Sequence, residues 1–162
     1  MLKNPDYSGD SLRKATLNST NYWRERFSAK PLEWDGDLAT YAQEHAAVCK
    51  FEHSGGPYGE NLAAGYSAPV TAIDGWAFES EDFKWMKPKF AKATGHFTQL
   101  VWQNTTKLGC GAKACEEGGG DAPGWYLVCE YDPPGNVVDG FRDNLERQDG
   151  SGEQLGEESS GP

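Results

Sequence analysis

The side chains best suited to chemistry in this 162-residue chain are three histidines, His45, His53 and His96, and the glutamates around them. In Gly95-His96-Phe97-Thr98-Gln99-Leu100-Val101, residues Phe97, Leu100 and Val101 fall at i, i+3 and i+4, the spacing of one buried helical face. Gly95 can supply the start of that short helix. His96, Gln99 and Gln103 share a different face, so the imidazole is presented to a cleft while the apolar residues anchor the backbone. His53 and Glu60 lie between Phe51 and Gly65, where Gly55, Gly56, Pro57, Gly59 and Gly65 forbid long regular structure. Such a frame can bring two polar side chains to a cleft wall, or leave an exposed loop histidine and a capping glutamate, and the residues alone support both. His45 reads as a packed histidine satisfied by a neighbour.

Imidazole beside carboxylate suits general acid–base chemistry or the binding of a divalent cation. A nucleophile is missing. Ser54 merely adjoins His53, no Gly-x-Ser-x-Gly elbow occurs, and Cys49, Cys110, Cys115 and Cys129 lack the C-x-x-C spacing of a structural zinc site. An enzymatic reading therefore rests on metal-activated water alone and ranks second.

The length suits one domain. Twenty-five acidic against 15 basic residues give a formal charge of −10, which disfavours a nucleic-acid partner. No apolar run approaches the ~20 residues that span a bilayer, so a soluble chain is expected. Residues 1–10 read as a loose lead-in. Leu12, Ala15, Ser19, Tyr22 and Arg26 follow helical steps and predict a helix over 11–27, ended by Pro31. Asp37 can cap a second helix whose stripe is Leu38, Tyr41, Ala42, His45, Ala46 and Cys49. A third helix is expected over 70–82, from Ile73, Trp76, Ala77, Ser80 and Phe83. Residues 108–115 and 125–132 predict a hairpin around Gly118-Gly119-Gly120. That register sets Cys110 nearly opposite Cys129, favouring a disulfide between them and leaving Cys49 for Cys115. Val137, Val138 and Phe141 are expected to pack back on the core, and 146–162 to form an acidic disordered tail.

The run from Gly95 to Thr105 resembles the first signature of the CAP superfamily, which holds cysteine-rich secretory proteins, venom antigens and pathogenesis-related-1-like proteins of plants and fungi. Tyr126-Leu127-Val128-Cys129-Glu130-Tyr131-Asp132-Pro133-Pro134-Gly135-Asn136-Val137 resembles the second. His53-Ser54 with Gly59-Glu60-Asn61 matches a third block, and the whole likeness spans about residues 12–141. One departure is Thr20, where the family usually carries a histidine.

The resemblance implies an α+β fold, a three-layer α-β-α sandwich with a small central antiparallel sheet over 11–145, and the same disulfide pairing. It also places Glu79, three residues after Trp76, in the family's cavity. His53, Glu60, Glu79 and His96 would then converge as a site for a divalent cation, zinc or magnesium, or as an acid–base set. Phe83-Lys84-Trp85-Met86-Lys87-Pro88-Lys89-Phe90-Ala91-Lys92 is a basic, apolar patch on an acidic protein. It can dock on a membrane surface, open over an apolar ligand, or act as a lid with its aromatics inward. The family's equivalent loop is the proposed sterol-contacting region, which nominates Phe83, Trp85, Met86 and Phe90 as ligand-binding residues. The function so implied is a secreted, non-enzymatic protein that binds a sterol or fatty acid, with a host protein as a further partner in host–microbe interaction. The alternative is a metal-dependent hydrolase built on the same four side chains.

Overall fold

A computed structural model describes residues 3–115 and 121–148 of the chain. The Gly118-Gly119-Gly120 turn and the tail from residue 149 onward lie outside the described residues. The elements are α1 (Gly9–Arg26), β1 (Glu33–Trp34), α2 (Gly36–Ala46), β2 (Gly59–Ala64), α3 (Pro69–Phe78), α4 (Gly95–Leu100), β3 (Lys107–Cys115), β4 (Gly124–Asp132) and α5 (Phe141–Asn144). The four strands form one sheet in the order β1-β3-β4-β2. It is mixed rather than antiparallel, because β1 runs parallel to β3.

Side-chain alternation along β4 builds the layers. Leu127, Cys129 and Tyr131 face a core shared with α1, α3 and α4, through Leu12, Ile73, Trp76, Phe97 and Leu100. Tyr126 and Val128 face a smaller core under α2, with Ala42, Ala46 and Leu62. Helix α2 comes so close to β3 that a Cβ on Gly109 or Gly111 would collide with its backbone at Ala39 and Gln43. Its N-terminus is capped by Asp35, not Asp37: the Asp35 carboxylate accepts from the N–H groups of Asp37 and Leu38. His45 is satisfied as expected, its Nε2 lying 2.6 Å from the Glu52 carbonyl oxygen.

The hairpin has the expected register, with Cys110 opposite Cys129, and both disulfides form, Cys110–Cys129 and Cys49–Cys115. Several boundaries differ from the sequence reading. The lead-in is anchored, since Tyr7 is buried, stacks on Trp125 at 4.4 Å and donates its hydroxyl to the Tyr66 carbonyl. Helix α1 buries Leu12 as expected, but Thr16, Thr20 and Arg24 in place of Ala15, Ser19 and Arg26, and Tyr22 is exposed. The reason is Arg24, whose guanidinium donates to the carbonyls of Lys30, Leu100, Trp102 and Thr105 and so fixes the turn that follows α4. Ser28, with φ at 62°, leads the chain out of the helix before Pro31 is reached. Helix α3 stops at Phe78, and a 3₁₀ turn over Glu79–Asp82 continues it. Phe141 packs on Trp102, whereas Val137 and Val138 are exposed.

Candidate functional site

His96 sits in the first turn of α4, between α3 and the edge strand β2. Its Nδ1 lies 2.7 Å from Glu79 Oε2, and Glu79 Oε1 accepts the backbone N–H groups of His96 and Phe97. One carboxylate thus caps the helix and orients the ring. Trp76 stacks on the imidazole at 5.9 Å, and Asn61 donates its amide to the His96 carbonyl. Bonding at Nδ1 leaves Nε2 for the cleft. The cleft holds about 390 Å³ and is lined by His96, Glu79, Trp76, Leu62 and Tyr66 among others. Gln99 does not share it. That side chain is buried and accepts the Gly135 N–H, bracing the turn after β4.

His53 and Glu60 make a second pair, with Nδ1 2.8 Å from Oε1. The His53 ring is 68% exposed and the Glu60 side chain only 5%. The hydrogen bond to Glu60 raises the His53 imidazole above its ordinary value. Burial alone would raise Glu60, but hydrogen bonds from His53, Glu130 and the Ser54 backbone hold it far below the usual carboxylate range. Glu130 lies directly opposite Glu60 across β2 and β4 and is buried. Burial and the Glu60 carboxylate push the Glu130 carboxyl well above the usual carboxylate range. Neither Glu60 Oε2 nor Glu130 Oε2 receives an N–H or hydroxyl hydrogen bond among the described residues, and a proton on Glu130 would give the facing carboxyls a donor.

The four anticipated residues are therefore brought together two by two. Along β2, Glu60 shares the α2 face with Leu62 and Ala64, while Asn61 and Ala63 face α3 and α4. The cleft lining includes Glu79 and His96 but neither His53 nor Glu60. Among the described residues, no group of three or more His, Cys, Asp or Glu side chains is placed to hold a metal ion. Each imidazole bonds its own carboxylate through Nδ1, which leaves Nε2 as the nitrogen open to a ligand.

The 83–92 segment divides into inward and outward parts. Phe83 is buried, and Trp85 packs against Phe83 at 4.8 Å and Phe27 at 6.3 Å. Met86 is 85% exposed. The Phe90 ring lies on Gly95, so close that a Cβ there would meet it at 2.9 Å, and it is not part of the cavity lining below. Under the loop is a cavity of about 480 Å³, lined by Asp82, Phe83, Lys84, Trp85, Met86, Lys87, Lys89, Ala91, Thr94 and Arg147.

A family model for cysteine-rich secretory proteins, CAP, matches residues 17–131. The chain belongs to the CAP family. Protein PRY2 of Saccharomyces cerevisiae is 43% identical over 118 residues, covering 70% of this chain and 34% of PRY2. Pathogenesis-related protein 1A1 of Solanum lycopersicum is 38% identical over 145 residues, covering 84% and 79% of the respective chains. This CAP chain thus spans about a third of the yeast relative and most of the tomato one. A crystal structure of MpPR-1i soaked with selenourea superposes with a TM-score of 0.61 at 27% identity, covering 79% of this chain and 95% of that one.

Two residues beside these side-chain clusters were not anticipated from sequence. Glu130 could have been found as the single charge inside the apolar run Tyr126–Tyr131, set across from Glu60 by the strand register. Arg147 was assigned to the tail, yet its guanidinium lies over the Trp85 ring at 5.9 Å. No local pattern signals that contact.

Proposed function

We propose that this is a secreted CAP protein that binds an apolar ligand, a sterol or fatty acid, in the cavity beneath the 83–91 loop. The observation that carries the reading is that cavity. Its volume of about 480 Å³ falls within the ~300–1,000 Å³ of small-molecule pockets, and Phe83, Trp85, Met86 and Ala91 give it an apolar lining. The loop that the family resemblance nominated for sterol contact is the one over it. Two disulfides and the absence of a free cysteine among the described residues suit an oxidising, extracellular setting. The hydrolase alternative has less support, since it relies on a metal-activated water and, among the described residues, no group of three or more His, Cys, Asp or Glu side chains is placed to hold a metal ion.

Equilibrium binding of a sterol and of a long-chain fatty acid, to the wild type and to Met86→Glu, tests the reading. Met86 is exposed, so the variant should fold normally while placing a charge in the apolar lining. Saturable wild-type binding that weakens at least tenfold in Met86→Glu is expected. Absence of saturable binding to the wild type, or equal affinity of the variant, would overturn it.

A further inference from the structure

We propose that the loop cavity selects amphiphiles with an anionic head, such as a sterol sulfate, over neutral analogues of the same apolar body. The inference deepens the ligand-binding reading above and rests on it. Four cations, Lys84, Lys87, Lys89 and Arg147, line the cavity with a single carboxylate, Asp82, on a chain whose formal charge is −10. None of the four forms an ion pair among the described residues. The acid–base pairs that do form lie elsewhere, at Asp10 with Arg13 and Lys14, and within the two histidine pairs.

The lysine ammonium groups stand on flexible, exposed stems at the mouth, and the aromatic and Met86 surfaces form the wall. Arg147 is held by the Trp85 ring face, which places one cation at the junction of wall and solvent. A low-dielectric wall beneath converging cations concentrates positive potential at the mouth. With a Debye length of ~8 Å at physiological salt, a head group there feels these cations far more than the distant carboxylates that set the net charge. The arrangement matches an apolar body seated on Trp85 and Met86 with a sulfate, phosphate or carboxylate at the lysines. A neutral hydroxyl head gains nothing from them. Exposed ion pairs are individually weak, so the expected discrimination is about tenfold and falls as salt rises.

The test compares cholesterol sulfate with cholesterol, below their aggregation limits, on the wild type and on Lys84→Gln/Lys87→Gln/Lys89→Gln. The three lysines are exposed and make no ion pair among the described residues, so the variant should fold. Expected results are about tenfold tighter binding of the sulfate ester by the wild type, a preference that collapses in the triple variant, and no competition by inorganic sulfate at equal concentration. Equal wild-type affinity for the two sterols, or a preference that survives in the variant, would overturn the selectivity while leaving the ligand-binding reading intact. Binding of neither sterol would overturn both. Lysine-dependent cosedimentation with phosphatidylglycerol vesicles, without preference for the monomeric sulfate, would overturn the proposal in favour of a membrane-docking surface.

Discussion

The polar groups around β2 and those of the 83–92 loop are arranged in opposite ways. Around β2, charge is consumed internally: Glu79 serves His96 and the start of α4, and Glu60 serves His53, Ser54 and Glu130. In the loop, four cations line an apolar cavity without any carboxylate partner among the described residues. Groups that satisfy one another hold a backbone in place, whereas groups left to water remain available to a ligand. The difference teaches that in this domain the histidine pairs are satisfied from within, whereas the loop cations are left to water.

The comparison can be broken most sharply within the loop itself. Phe83→Ala removes a buried ring packed on Trp85 and Phe97 and should cost about 3–5 kcal/mol in chemical denaturation, while Met86→Ala should stay within about 0.5 kcal/mol. Similar losses from both would erase the division between inward and outward sides. Glu79→Ala comes next. It leaves two backbone N–H groups and the His96 ring without their acceptor, an expected loss of about 2–3 kcal/mol by the same measurement. A neutral result would show that the brace is not structural.

Glu130 sharpens the contrast by pH. Its folded-state pKa is raised above the ordinary 4.5, so its contribution is fully present below about pH 4.5 and is lost as pH rises through the folded value. Glu130→Gln keeps a neutral donor to Glu60 and removes that ionisation. The variant should match the wild type near pH 4 and exceed it by about 1–3 kcal/mol at pH 8. Parallel stability curves from pH 4 to 8 would mean that no proton is held there.

Where a signal was local, the sequence was informative. The i, i+3, i+4 pattern of Phe97, Leu100 and Val101 marked α4, and the hairpin register paired the cysteines, because period and register follow from the backbone. The three motif blocks identified the fold. What escaped was set by tertiary contact. Arg24 overrode the apolar stripe of α1 by hydrogen bonds to carbonyls as far away as Thr105, and no spacing rule contains such a partner. The pairing of each histidine with its own carboxylate, His53 with Glu60 and His96 with Glu79, is likewise a tertiary contact between distant segments. Arg147 reaches the cavity under the loop from a segment whose composition speaks only of solvent.

That the ligand enters beneath the loop, and not the cleft beside His96, is most directly tested by NMR titration of a saturating sterol sulfate, following the Trp85 indole N–H, the Met86 methyl group and the His96 ring. Saturable shifts at Trp85 and Met86, with the His96 ring unmoved, are predicted. Shifts centred on His96 and its stacking partner Trp76, with Trp85 and Met86 silent, would contradict the account.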